Sequence, residues 1–294
     1  MCRLYGFRSS VLSQVHHSLV AADNALALQS ERHPDGWGVG FYVDRYPHLI
    51  KSAKKALADA LFREISAVVA TRTLLAHIRQ ATVGRNSVFN SHPFQHGPWC
   101  FAHNGEIAGF EKSAELRAQL FAEIDPRFRG YVFGQTDSEY AFYLFLSRLA
   151  RKTEDIHHEG VTLNATLSAL KETVDVLTNT TDRIIGEPSR LTFLFTNGSL
   201  LVGYRYRREL LFSTYKTRCP ERASCPAYEA AKCEAEVKEG IVKHLIVTSE
   251  HIAPTPNVWK ELQDGEFVAV DHGMRFTRGW LSQVDDAGGL RSVG

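Results

Sequence analysis

The chain has 294 residues, 44% of them apolar, and a formal net charge of +1, so it can bury one large core and offers no electrostatic reason to bind nucleic acid or an anionic membrane. Its longest apolar run, residues 140–146, is far short of a membrane span, and the N-terminus lacks a basic-then-apolar signal segment. An odd number of cysteines, five in so long a chain, argues against a disulfide framework and for a cytoplasmic location.

Residues 2–7, Cys2-Arg3-Leu4-Tyr5-Gly6-Phe7, alternate and predict a short strand with Cys2 at its start. Residues 35–43 predict a glycine-rich entry into a second strand, 74–78 a third and 99–103 a fourth. Thr136-Asp137-Ser138-Glu139 matches a capping box, with a helix expected to follow through Leu149. Leu163, Leu167, Leu170, Val174 and Leu177 recur at helical spacing. Asn197-Gly198 between two apolar runs, 191–196 and 199–206, predicts a hairpin, and 244–248 and 266–271 predict late strands. Strands at both ends with helices between favour an α+β layered fold over a doubly wound sheet. With no repeat and no low-complexity linker, one domain over residues 2–280 is expected, followed by a tail, 281–294.

The position of Cys2 carries the chemistry. Aminopeptidases usually trim an initiator Met that precedes a small side chain, and trimming Met1 would leave Cys2 with a thiol and a free α-amine. Thiols titrate near ~8.5 and α-amines near ~7.7–8.0, so one residue would hold both a nucleophile and a base of matched strength. Four further segments stand out: 77–82 (His77-Ile78-Arg79-Gln80-Ala81-Thr82), 90–94 (Asn90-Ser91-His92-Pro93-Phe94), 102–107 (Ala102-His103-Asn104-Gly105-Glu106-Ile107) and 135–139 (Gln135-Thr136-Asp137-Ser138-Glu139).

With Cys2, the order and spacing of these segments resemble the class II glutamine amidotransferases, and most closely the stand-alone branch that includes ergothioneine-pathway and glutathione-degrading γ-glutamyl hydrolases. The resemblance is good over residues 2–146 and thinner over 247–250 and 259–271. It implies a four-layer αββα sandwich of the N-terminal-nucleophile hydrolase type. It also implies hydrolysis of the γ-amide of glutamine through a Cys2 thioester, with no metal or organic cofactor. A planar, permanently charged fork suits a substrate carboxylate, and Arg79 matches the family's arginine. Asp137 matches the carboxylate that would take the substrate ammonium; Thr136 already fits the helix cap and leaves Asp137 free to face a ligand. Asn104 and Gly105 match the donors to a developing oxyanion. Thr82, Val83 and His92 match positions that line the glutamine pocket, although a structural role for His92 fits equally well. Two other readings remain open: a γ-glutamyl conjugate or peptide as substrate, and a non-catalytic glutamine-binding subunit of a larger synthetase complex. An acceptor-synthase subunit is a possible partner. Relatives with fused synthase domains carry Trp after the arginine, where this chain has Gln80.

Other features point to packing. Gly36, Gly38 and Gly40 fit neither nucleotide fingerprint and suggest close approach or a strand bend. Cys219, Cys225 and Cys233 fit no common zinc spacing and would need a further ligand such as His244, so free thiols are expected. Lys51, Lys54 and Lys55 read as a solvated face.

Overall fold

The computed structural model describes residues 2–22, 24–81, 84–158, 160–252 and 256–290. Its strands are β1 (Arg3–Gln14), β2 (Trp37–Val43), β3 (Tyr46–Ser52), β4 (Ala70–Ile78), β5 (Phe94–His96), β6 (Trp99–Glu106), β7 (Arg190–Thr196), β8 (Leu201–Tyr204), β9 (Leu211–Ser213), β10 (Gly240–Ile241), β11 (His244–Thr248), β12 (Lys260–Glu261), β13 (Glu266–Val270) and β14 (Arg275–Trp280). The α-helices are α1 (Leu26–Gln29), α2 (Ala60–Val68), α3 (Ala114–Glu123), α4 (Pro126–Arg129), α5 (Asp137–Leu149), α6 (Leu163–Ile184) and α7 (Ala230–Cys233). Two seven-stranded sheets result, ordered β12-β9-β11-β1-β4-β2-β3 and β10-β14-β13-β8-β7-β6-β5, with antiparallel pairing within each.

The alternation of each strand decides what it buries. In β1, Leu4 faces the space between the sheets, where it meets Leu75 of β4, Ala102 of β6 and Leu194 of β7. Tyr5 and Phe7 turn to the opposite face and pack with Leu26, Phe62 and Ile65 beneath α1 and α2. In the second sheet Trp99, Phe101, Phe193 and Phe195 face outward against α3, α5 and α6. Three cores between four layers make this the expected αββα sandwich.

The predicted elements appear, with β1, β4, β6 and α6 extending beyond the residues the sequence suggested and β2, β8 and β13 falling short of them. Thr136 caps α5 by accepting from the Glu139 N–H at 3.3 Å. The second half of the expected capping box is absent: the Glu139 carboxylate turns back to accept the N–H groups of Phe133 at 3.1 Å and Gly134 at 2.6 Å. The 197–200 turn is closed by Asn197 Oδ1, which accepts from Ser199 and Leu200. Strand β3 escaped detection because it is a half-exposed edge strand containing Pro47, and helix α3 because only Leu116 and Leu120 anchor it in the core. Leu281 and Val284, from the segment set apart as a tail, enter the core under α6, and Ser168 Oγ donates to the Asp286 carbonyl at 2.8 Å. Lys51 departs from the solvated-face reading: its Nζ donates to the Ser91 carbonyl at 3.0 Å, and burial pulls its pKa down to about 8.

The glycines of β2 are spacers. A Cβ on Gly38 would sit 2.1 Å from the His92 carbonyl oxygen, whereas one on Gly40 would meet only ordinary contacts at 3.4 Å. Gly38→Ala is therefore expected to destabilise the fold by about 1–3 kcal/mol, the usual cost of overpacking, with Gly40→Ala close to neutral. Urea unfolding of the two variants checks this; equal midpoints would contradict the close approach of residues 91–93 to β2.

Candidate functional site

The site begins with a register. Strands β1 and β4 pair Arg3 with Ile78 and Leu4 with His77, and one further step sets Cys2 opposite Arg79. The main chain confirms the step, because the Gln80 N–H donates to Cys2 Sγ at 3.4 Å and the Cys2 thiol donates to the Gln80 carbonyl at 3.4 Å. Parity then aims the side chains. Cys2 shares the inter-sheet face with Leu4, and His77 and Arg79 share it with Leu75. Across the gap, Asn104 follows Ala102 on the inward face of β6. Cys2, Arg79 and Asn104 thus converge on one end of the space between the sheets.

The N-terminal strand is held in place from its other side. Leu4 N–H donates to Ser249 Oγ at 2.9 Å, the Leu4 carbonyl accepts from Ser249 N–H and Thr248 Oγ1, each at 3.1 Å, and Arg3 forms an ion pair with Glu250. This explains why the resemblance thins but persists at 247–250: those residues fix where Cys2 stands.

Asp137 rims the site as the first residue of α5. Its Oδ2 accepts the Ile107 N–H at 2.7 Å and its Oδ1 the Ser138 N–H at 2.8 Å. It is therefore tied to main chain rather than free, as the sequence suggested, with lone pairs remaining for a ligand. His103 faces away from the inter-sheet gap. Its Nε2–H donates to the Arg190 carbonyl at 2.8 Å, and its Nδ1 meets Ser138 Oγ at 2.9 Å. The imidazole so joins the end of β6 to α5. Gly105 has no space for a side chain, since a Cβ would lie 1.9 Å from the Arg190 carbonyl oxygen. The Asn104 side chain is buried and makes no hydrogen bond to the described residues. His92 is buried against His77, ring centroids 4.2 Å apart, and against Phe94 at 4.8 Å. Burial and the neighbouring charge of Arg79 keep both imidazoles neutral. Thr82 and Val83 lie outside the described residues.

The electrostatics favour a resting thiol. Burial pushes Cys2 up; the Gln80 N–H and the Arg79 charge oppose this, and Asp137 adds to the rise. Among the described residues no side-chain base reaches Sγ, whose bonds go to the Gln80 peptide. Arg79 is buried, with Nη2 donating to the Gly84 carbonyl at 3.3 Å, and the nearby Cys2 and Asp35 favour its charge against the cost of burial.

Three contacts at the mouth were not foreseen from the sequence. Gln80 Oε1 accepts from His33 Nδ1 at 3.1 Å, Asp35 Oδ2 accepts the Ala81 N–H at 2.9 Å, and Asn90 Oδ1 accepts the Gln135 N–H at 3.0 Å. Each ties a loop at the mouth to its neighbour. Gln80 and Asn90 stand inside the motif segments and Asp35 opens the 35–43 segment, but their partners are distant in sequence and gave no local signal.

The family of class-II glutamine amidotransferases matches residues 1–286. An uncharacterised protein of Methanocaldococcus jannaschii is 30% identical over 288 residues, 93% of this chain and 70% of that protein. A protein of Saccharomyces cerevisiae named as a probable glutamine amidotransferase is 30% identical over 233 residues, 70% of this chain and 64% of its own length. Among solved structures, a glutamine aminotransferase class-II domain protein of Silicibacter pomeroyi superposes with a TM-score of 0.64 at 21% identity, covering 95% of this chain and 99% of its own. No described helix is long and apolar enough to cross a membrane. The fold, the converging Cys2, Arg79 and Asn104, and the match over nearly the whole chain together show that this protein belongs to the class II glutamine amidotransferase family.

Proposed function

We propose that the chain hydrolyses the side-chain amide of glutamine, and that the observation carrying this reading is the register that sets Cys2 opposite Arg79 with Asn104 facing both. The Arg79 guanidinium takes the α-carboxylate of the substrate and Asp137 the α-ammonium, which aligns the amide with Cys2 Sγ. The thiol proton passes to the α-amine of Cys2, directly or through water, because no side-chain base among the described residues is in contact with Sγ. Sulfur then adds to the amide carbon. Asn104 Nδ2 and the Gly105 N–H hold the oxyanion, ammonia departs with the proton, and water cleaves the thioester. His92 would contribute to the pocket wall; Thr82 and Val83, which the resemblance assigns to it as well, lie outside the described residues. The five unbonded thiols fit a reducing cytoplasm, and a synthase subunit receiving the ammonia is the partner this chemistry calls for.

The mechanism requires Met1 to be removed. Intact-mass analysis of active protein is expected to show a chain starting at Cys2, and Cys2→Ala is expected to keep its fold and lose turnover; an active enzyme that retains Met1 would refute the N-terminal base.

The remaining roles separate kinetically. Arg79→Lys and Asp137→Asn are expected to raise KM about ten- to a hundredfold, since a charged hydrogen bond is worth roughly 1.5–3 kcal/mol. Asn104→Ala is expected to lower kcat by ~10²–10³, because its donor meets charge that exists only as the tetrahedral species forms. Steady-state glutamine kinetics read both. A raised KM with unchanged kcat in Asn104→Ala would return the residue to a positioning role.

A larger leaving amine is the second reading, favoured by one observation. Phe89, Tyr131 and Phe133 are exposed near the Asn90–Gln135 contact, Phe89 next to Asn90 and Tyr131 and Phe133 six and four residues before the start of α5. They offer an apolar surface to a substrate whose amide carries an aromatic group. If that surface binds the leaving amine, γ-glutamyl-p-nitroanilide will be cleaved with a higher kcat/KM than glutamine, and Phe133→Ser will erase the difference. Faster turnover of glutamine would assign the chain to ammonia release.

A further inference from the structure

Cys2 occupies one face of β1; the opposite face carries a second concavity. A cavity of about 750 Å³ opens over Tyr5 and Phe7 of β1 and Ile246 of β11. Tyr5 and Phe7 alternate with Leu4, so the cavity lies on the outer side of the first sheet, across the sheet from the inter-sheet face on which Cys2 and Arg79 stand. Its roof is the connection after β9, which brings Cys219, Cys225 and Cys233 over the sheet. The three cysteines that fitted no zinc spacing thus serve as an apolar wall, and all three are free thiols. The volume is that of a small-molecule site.

The lining is electrically one-sided. Lys216, Arg218, Arg222 and Lys243 reach the cavity, against Glu221 as the one acidic residue of its wall. Lys243 is neutralised by Glu229 at 2.5 Å, and Arg222 is loosely paired with Glu234 at 3.9 Å. Lys216 and Arg218 form no side-chain ion pair within 4.0 Å among the described residues, although the Arg218 charge is felt at Glu234. Two buried polar atoms in the lining, His244 Nε2 and Asn257 Oδ1, have no hydrogen-bond partner among the described residues. Burial and the Lys216 charge hold the His244 imidazole neutral, its pKa lowered to about 3, so Nε2 can serve a ligand without adding charge. Buried polar atoms without partners are uncommon in folded proteins and mark places where a partner belongs.

We propose that this cavity is a second ligand site, for a small organic anion whose apolar or aromatic body rests on Tyr5, Phe7 and Ile246 while its carboxylate, sulfonate or phosphate meets Lys216 and Arg218. The aromatic floor supplies contact area, the two cations supply charge, and His244 and Asn257 orient the polar end. The proposal does not depend on the chemistry at Cys2.

The test uses the full chain and the anionic fluorophore 1-anilinonaphthalene-8-sulfonate. Fluorescence titration is expected to give saturable binding at one site per chain. Affinity is expected to fall at least tenfold in a Lys216→Gln/Arg218→Gln variant and in Ala227→Trp, which fills the cavity without altering its charge, with urea midpoints for both showing that the fold persists. Uncharged N-phenyl-1-naphthylamine is expected to bind at least tenfold more weakly. Alkylation of Cys2 should leave the probe in place. Non-saturable binding, unchanged affinity in the two variants, equal binding of the uncharged dye, or displacement by Cys2 alkylation would each overturn the assignment.

Discussion

The pairing of β1 with β4 is the constraint on which the site depends. A strand's side chains alternate with a period of two, so slipping β1 by one residue would turn Cys2 from the inter-sheet gap to the helix side, away from Arg79, whose face is fixed by the pairing of β4 with β2. The register is over-determined: the Gln80 peptide holds Sγ, Ser249 and Thr248 hold the Leu4 peptide, and Glu250 holds Arg3. The chain is thereby fixed at a place where termini usually fray.

Closing two sheets around the site has an electrostatic consequence. Arg79 and Asp137 are both buried, at 3% and 4% exposure, and each is held by hydrogen bonds rather than by a direct ion pair with the other. In the proposed reaction such buried charges would act on a zwitterionic substrate with little screening by water. The same burial pushes the Cys2 thiol up. In the proposed mechanism the base is the α-amine carried by the same residue.

What was legible in the sequence follows from what each residue contributes locally. Strands β1, β2, β4 and β6 showed in their alternation, α6 in its leucine spacing, and the family in the order and spacing of its motifs. Edge strand β3, with Pro47, and helix α3, with a narrow apolar face, are stabilised mainly by neighbours and left little periodic trace. The local motif at Thr136 gave the helix start but misdirected Glu139, which binds the 133–134 peptide groups instead of its own cap. The His103-Asn104-Gly105 motif showed its members but not their division. Alternation along β6 sends His103 to α5 and Asn104 to the gap, and the steric need for Gly105 lies in the Arg190 carbonyl, far away in sequence.

The central claim is that sheet register and strand parity assemble a glutamine site around Cys2. A crystal structure of the Met1-free protein inactivated with 6-diazo-5-oxo-L-norleucine tests it most directly. The account predicts a covalent bond to Cys2 Sγ, the α-carboxylate on Arg79, the α-ammonium on Asp137, and the ketone oxygen within hydrogen-bond distance of Asn104 Nδ2 and the Gly105 N–H. An adduct on Cys100, Cys219, Cys225 or Cys233, or one on Cys2 whose oxygen faces away from Asn104 and Gly105, would contradict it.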